Sequence, residues 1–352
     1  MGEKVLMKGN EAIGEAAIQA GCRYYFGYPI TPQSELTAYM AKKLLKMENA
    51  AFVQAESELA AINMVYGAAA TGARVMTSSS SPGISLKQEG ISYIACSELP
   101  CVIVNMQRGG PGLGSIQPGQ ADYFQATKGG GHGDYHLIVF APSSVQELVD
   151  LTMEAFELAD KYQNPAMILG DGLIGQMMES VEFKKKKEGV LPSKEEWALT
   201  GCQGREKHVI VPFSLDPYEM EKINLKLKAK YDQLKEKEAR YEAVNTENAD
   251  LLVVAYGTVA RIVKTVISNA KKEGIEVGLI RPITLYPFPE KIIADTSEKV
   301  DKIFVVEMSM GQMVEDVKLA VNGKAKVDFY GRMGGAIPTQ AEILNEIKKC
   351  LK

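Results

Sequence analysis

Short apolar runs recur along the first half of the chain. They are RYYFGYP (23–29), AAFVQA (50–55), ARVMTSS (73–79), CVIVNM (101–106), LIVFAP (137–142) and PAMILG (165–170). Each has strand length and is close to continuously apolar. Helical patterns stand between several of them. NEAIGEAAIQAG offers Asn10 as an N-cap and Gly21 as a stop. SELAAINMVYGAAATG runs from Ser57 to Gly72 and is apolar nearly all round, which predicts a buried helix. SSVQELVDLTMEAFELADKY follows Pro142, with Ser143 or Ser144 as cap and Glu147 in the first turn. Near-continuous apolar strands alternating with helices predict a parallel sheet covered on both faces. In such sheets ligands bind at loops leaving the carboxyl ends of strands. Four such loops, YPITPQSE, ESE, SSSSPG and QRGGPGLGS, are predicted to gather on one edge.

Residues 181–245 break this rhythm. KKKKEGVLPSKEEWALTG is polar, and LDPYEMEKINLKLKAKYDQLKEKEARYEAV is charged and helical. The lysine run 184–187 reads as a solvated loop, and the segment as a connector with a long helix. Alternation resumes at ADLLVVAYG (249–257). RIVKTVISNAKKEG, IEVGLIRP, KIFVVEMSMG, QMVEDVKLAV and KVDFYG complete a second α/β unit. The expected organisation is one unit over 1–180, a connector over 181–245 and a second unit over 246–352.

Composition narrows the classes. A chain of 352 residues suits two domains, and 46% hydrophobic with 24% charged residues is an ordinary globular balance. The net charge of −4 gives no basic surplus for nucleic acid or an anionic membrane. No apolar run is long enough to span a bilayer. The start, MGEKVLMKGNEA, has no signal-peptide core, so a cytoplasmic location is expected. The cysteines, Cys22, Cys96, Cys101, Cys202 and Cys350, form no C-x-x-C pair. An iron–sulfur cluster needs four thiolates at close spacing, which this chain does not supply alone.

Candidate chemistry sits in the loops. Pro29 and Pro32 flank Thr31, so either a plain loop or a rigid mount for the Thr31 hydroxyl is intended. Glu56 and Glu58 precede or open an apolar helix, where both suit the positive end of its dipole. A carboxyl that enters a buried region also needs a partner. Arg108 is the one charge between an apolar strand and a Gly/Pro-rich loop. Its fork suits a carboxylate or phosphate, but a surface arginine fits equally. His132, Asp134 and His136 lie among glycines without the spacing of a helical metal pair, so no metal is expected there. Asp171 in GDGLIGQ reads as a polar turn. Neither a dinucleotide fingerprint nor a P-loop is present.

GYPITPQSE, QAESELAA, TSSSSPG, ELPCVIVNMQRGGPG and QADYFQATKGGGHGD, in this order and spacing, resemble the alpha subunit of 2-oxoacid:ferredoxin oxidoreductases. The likeness is strongest to the type acting on 2-ketoisovalerate. LIRPITLYPFP (279–289) resembles the transketolase C-terminal-like domain of that family. The resemblance implies a thiamine-diphosphate pyrimidine-binding domain over 1–180 and a transketolase C-terminal-like α/β domain over 246–352. It places the diphosphate and Mg²⁺ on a separate beta subunit. Iron–sulfur clusters belong to other chains, a ferredoxin-like subunit among them, alongside a gamma subunit. Ferredoxin is the implied acceptor, coenzyme A the co-substrate, and a homodimer of the heteromeric unit the assembly.

By the same carry-over Glu58 is the catalytic glutamate. Bonded to N1′ of the aminopyrimidine, it promotes proton removal at the thiazolium. Tyr28, Pro29, Ile30 and Thr31 line the cofactor beside it. Thr31 and Arg108 bind the substrate, Arg108 through its carboxylate. The implied reaction is oxidative decarboxylation of a branched-chain 2-oxo acid to an acyl-CoA. The alternatives are the same reaction on 2-oxoglutarate or pyruvate, or a non-catalytic scaffold subunit.

Overall fold

The computed structural model of the chain describes residues 4–183 and 193–352; the lysine run 184–187 lies outside them. The first half runs β1 (Lys4–Lys8), α1 (Gly9–Gln19), β2 (Tyr24–Gly27), α2 (Ser34–Leu44), β3 (Ala51–Gln54) and α3 (Glu58–Ala70). It continues with β4 (Val75–Ser79), α4 (Ser81–Cys96), β5 (Val102–Gln107), α5 (Tyr123–Thr127), β6 (Ile138–Phe140) and α6 (Val145–Tyr162). Then come β7 (Ala166–Asp171), α7 (Gly172–Gln176) and β8 (Met178–Glu182). The second half runs α8 (Pro217–Lys237), β9 (Tyr241–Val244), β10 (Leu251–Val254), α9 (Gly257–Lys272), β11 (Val277–Pro282) and β12 (Thr284–Tyr286). It ends with α10 (Glu290–Ser297), β13 (Lys302–Glu307), α11 (Met313–Val321), β14 (Lys326–Gly331) and α12 (Gln340–Leu351).

Every apolar run of the first half becomes a strand. The large sheet has the order β12-β6-β7-β5-β4-β2-β3. Its strands β2 to β7 are parallel. Every residue of β4, β5, β6 and β7 is buried, as a sheet covered on both faces requires. Chain order reverses at β2, which lies between β3 and β4. That reversal opens a crevice at the strands' carboxyl ends. The second sheet, β14-β13-β10-β11-β9, is parallel except for its antiparallel edge β9.

Three readings change. Asn10 is not the cap of α1; Lys8 holds that position. Asn10 is fully buried, and its amide reaches across to the loop after β2. Helix α3 is capped by the Ser57 hydroxyl, as its sequence suggests, but is buried on one side only. Leu59, Asn63, Met64 and Gly67 are exposed, so an apolar side of α3 is bare in the single chain. Third, β12 leaves the second unit and pairs antiparallel with β6 of the first sheet. Among the described residues, no helix is long and apolar enough to cross a membrane.

An ionic joint ties the two halves together. Arg281 on β11 is buried, donating to both carboxylate oxygens of Glu147 on α6 (3.0 and 2.7 Å) and to Glu242 on β9 (2.6 Å). Removing Arg281 leaves two half-buried carboxylates without their shared counter-charge. Arg281→Ala is expected to lower unfolding free energy by roughly 2 kcal/mol, less than the cost of breaking a fully buried pair. Urea denaturation of the chain checks this; an unchanged midpoint would show that the joint contributes little.

Candidate functional site

Strand β2 ends at Gly27 and delivers Tyr28, Pro29, Ile30 and Thr31 to the crevice. Tyr28, Pro29 and Thr31 are exposed, Ile30 is half-buried, and Pro32 is buried. The loop is pinned from three directions. Asn10 Nδ2 and Gln176 Nε2 both donate to the Pro32 carbonyl (2.8 and 3.2 Å). Arg108 Nη1 donates to the Thr31 carbonyl (2.9 Å). The loop backbone is thus held at two successive carbonyls, those of Thr31 and Pro32.

The two candidate glutamates part company. Glu56 is exposed, while Glu58, first residue of α3, is 6% exposed. The reason for Gly83 is visible here. A Cβ at that position would lie 2.5 Å from Glu58 Oε1 and 2.1 Å from Ser79 Oγ. Only glycine lets the Glu58 carboxyl and the end of β4 meet over the first turn of α4. Among the described residues, the buried Ser79 Oγ at this point has no hydrogen-bond partner; neither do Ser80 Oγ, next along the chain, nor Gln33 Nε2, on the side of β4 that Ser78 faces. Gln33 Oε1, by contrast, accepts from Ser78 Oγ (2.5 Å), whose oxygen also bonds Tyr25 Oη (2.6 Å). Native interiors rarely leave such groups unsatisfied, so the Ser79 hydroxyl beside Glu58 suits a polar ligand atom.

Arg108 is 7% exposed and is no surface residue. Besides the Thr31 carbonyl it holds the Leu113 carbonyl through Nη2 (2.8 Å), and its Nε is buried without a partner. The backbone beside it is fixed by Ser81 Oγ, which accepts from Arg108 N at 3.1 Å and donates to Asp122 (2.6 Å). Asn105 Nδ2 also donates to Asp122 (2.9 Å), and burial raises that carboxyl's pKa. Arg108 thus fastens the loops after β2 and β5 together, with its Nε buried and unpaired among the described residues.

The other candidates lie elsewhere in chemistry. The ring of His136 stacks on Tyr286 (4.1 Å between centroids) with Nδ1 3.2 Å from the Thr127 carbonyl, and burial lowers its pKa. Asp171 caps α7, accepting from Leu173 N and Ile174 N (2.9 and 3.2 Å), as a polar turn would. Sequence reasoning did not find Asn10, Gln33, Gly83 or Asp122 as site residues. A signal existed for the serines. Thr77, Ser78 and Ser79 are hydroxyl residues in a strand whose neighbours are apolar, Ser80 follows them directly, and all four are fully buried.

Comparison with known proteins gives a consistent picture. Residues 15–246 match the family model described as pyruvate flavodoxin/ferredoxin oxidoreductase, thiamine diphosphate-binding. Residues 249–343 match that of pyruvate:ferredoxin oxidoreductase core domain II. The chain is 50% identical to the ketoisovalerate oxidoreductase subunit VorB of Methanothermobacter marburgensis, over 98% of this chain and 97% of that one. It is 37% identical to the 2-oxoglutarate synthase subunit KorA of the same organism, over 99% of each. Among solved structures, a 2-oxoglutarate:ferredoxin oxidoreductase from Magnetococcus marinus, with 2-oxoglutarate, coenzyme A and succinyl-CoA bound, superposes with a TM-score of 0.87. Its identity is 26%, and the match covers 100% of this chain and 66% of that one. A split-gene transketolase shares the fold at a TM-score of 0.59 and 13% identity.

Proposed function

From the premise that the chain belongs to the 2-oxoacid:ferredoxin oxidoreductase family, we propose that it holds the aminopyrimidine half of a thiamine-diphosphate site acting on a branched-chain 2-oxo acid. The observation that carries this reading is the buried Glu58 carboxyl over Gly83, beside the unpaired Ser79 hydroxyl. An aminopyrimidine is flat, with a ring nitrogen that pairs with a carboxyl and an edge of donors and acceptors. The buried Glu58 carboxyl and the Ser79 hydroxyl beside it suit that edge.

When bound, the thiazolium of the cofactor supplies the electron sink for decarboxylation. Glu58 holds a proton at N1′ of the pyrimidine, where burial keeps water from competing. Tyr28, Pro29, Ile30 and Thr31 form one wall, and the three anchors of the loop keep it preorganised. Thr31 and Arg108 orient the 2-oxo acid, the Arg108 Nε serving its carboxylate.

The diphosphate and Mg²⁺ are assigned to a beta subunit. Tyr28, Val53, Leu59 and Met64 are exposed on either side of the Glu58 edge, an apolar surface suited to burial by such a chain. Iron–sulfur clusters are assigned to partner chains, with a gamma subunit, a ferredoxin-like subunit and ferredoxin as acceptor. Among the described residues, no three His, Cys, Asp or Glu side chains group to hold a metal. Coenzyme A takes the acyl group, the complex works in the cytoplasm, and the heteromeric unit pairs as a homodimer.

The substrate follows the more similar relatives, which are named for ketoisovalerate. The test is anaerobic viologen reduction by the complex purified with its native partners, with coenzyme A present. 2-Ketoisovalerate, 2-oxoglutarate and pyruvate are run side by side. Fastest turnover is expected with 2-ketoisovalerate. Turnover of 2-oxoglutarate alone would replace the substrate, and none from an intact, cofactor-loaded complex would leave a scaffold.

A further inference from the structure

We propose that Gln120 is a positioning residue for Arg108, and that through it the second α/β unit sets the binding of the 2-oxo acid. This rests on Arg108 serving the substrate's carboxylate.

The chain returns to Arg108 over residues 117–122. Gly109 N donates to the Gln117 carbonyl (2.8 Å), and Arg108 forms an antiparallel bridge with Pro118. Gly119 lies against the same backbone: a Cβ there would stand 3.0 Å from the Arg108 carbonyl oxygen. Farther on, Asp122 grips the end of β5. Its backbone N–H donates to Gln107 Oε1 (3.1 Å), and its carboxylate accepts from Asn105 Nδ2 (2.9 Å) and Ser81 Oγ (2.6 Å). Ser81 Oγ in turn accepts from Arg108 N (3.1 Å). The Arg108 main chain is therefore seated between the two ends of one short segment.

Gln120 stands in the middle of that segment, 1% exposed, and its bonds go to the second unit. Its backbone N–H donates to the Met308 carbonyl (2.9 Å), and its Oε1 accepts from Met308 N (3.0 Å). Its Nε2 donates to the Tyr256 carbonyl (3.0 Å), and its own carbonyl accepts from Tyr256 Oη (3.1 Å). Tyr256 lies just past β10 and Met308 just past β13, and these strands are parallel neighbours. Two adjacent strand ends of the second sheet thus converge on one residue. Gln312 extends the grip: its Nε2 donates to the Ala121 carbonyl (2.7 Å), and its Oε1 accepts from Phe124 N (2.8 Å).

Hydrogen bonds have a narrow range of distance and angle, so a buried residue paired at both backbone and amide groups is fixed in place. An arginine fork that spans the Thr31 and Leu113 carbonyls and still meets a substrate needs such placement. Gln120 passes it from the second unit to Arg108 through Pro118 on one side and Asp122 on the other.

The test uses the complex purified with its native partners and the 2-oxo acid that turns over fastest. Gln120→Met keeps the side-chain length and removes both amide bonds. Tyr256→Phe removes the bond to the Gln120 carbonyl from the opposite side. KM for the 2-oxo acid is expected to rise roughly threefold to tenfold in Gln120→Met and less in Tyr256→Phe, with kcat falling by a smaller factor. The deciding measurement is KM of the double variant Gln120→Met, Arg108→Ala. With Arg108 gone Gln120 has nothing to position, so KM should match that of Arg108→Ala within about twofold.

Thermal unfolding and bound thiamine diphosphate are measured on the same samples. An equal rise in KM with and without Arg108 would overturn the proposal. So would a lower melting temperature with KM at its wild-type value, because a joint between the units alone predicts that result. If Gln120→Met does not assemble, Tyr256→Phe decides, alone and combined with Arg108→Ala. Failure of both to assemble would also count against the proposal, since the contacts would then serve folding. If Arg108→Ala itself leaves KM unchanged, the reading of Arg108 falls. If Arg108→Ala raises KM while the Gln120 and Tyr256 variants do not, only the present proposal falls.

Discussion

Glu58→Gln, in the assembled complex, is expected to lower 2-oxo-acid-dependent turnover by on the order of 10² to 10⁴, the range for losing a placed acid–base group. Gln has the same shape, so the contact over Gly83 is kept and the proton is not. Glu56→Gln is expected to stay within about twofold, because Glu56 is exposed and its hydrogen-bond partner among the described residues is the neighbouring Ser57 hydroxyl at 3.3 Å. The pair separates two acids that stand two residues apart. Viologen reduction under saturating substrate gives the number, and thermal unfolding confirms that the Gln variants are folded. Wild-type turnover from Glu58→Gln would show that the carboxyl has no part in the reaction.

The second large effect is at Arg108. Arg108→Ala should raise KM for the 2-oxo acid by roughly tenfold to a hundredfold, the value of a charge-assisted hydrogen bond of about 1.5–3 kcal/mol. It should lower kcat less, since binding and not proton handling is lost. The same change also frees the Thr31 and Leu113 carbonyls from their shared clamp. For that reason Arg108→Lys is expected to recover only part of the affinity: one ammonium does not span two carbonyls and a third acceptor as a planar fork does. Initial rates across substrate concentration for each 2-oxo acid check this. An unchanged KM for all of them would remove Arg108 from the binding site.

Much of this was readable in the sequence, for physical reasons. Continuous apolar runs such as CVIVNM and PAMILG have one good fate, a strand covered on both faces, and both lie in the centre of the large sheet. Ser144 capping α6 and Ser57 capping α3 are local chemistry, so local sequence shows them. Helix α4 was hidden because SSSSPG looks like a loop; Ser80 before a proline in the first helical turn is the start signal that it contains. Distance hides the rest. Arg108 meets Thr31 across 77 residues, and Asn10 serves Pro32 across 22, so no window of sequence displays either contact. Asn10 looks like a cap because asparagine usually is one, but a tertiary partner outbid that local preference. Thr284–Tyr286 reads as part of the second unit, and its pairing with β6 depends on how the two units meet.

The proposed reaction requires Glu58 to serve the cofactor's proton transfer. The most direct measurement is hydrogen–deuterium exchange at the thiazolium C2 of bound thiamine diphosphate, by rapid quench and NMR, in complexes with matched cofactor content. Exchange is expected to slow by on the order of a hundredfold or more in Glu58→Gln and to be unchanged in Glu56→Gln. Wild-type exchange in Glu58→Gln would contradict that role.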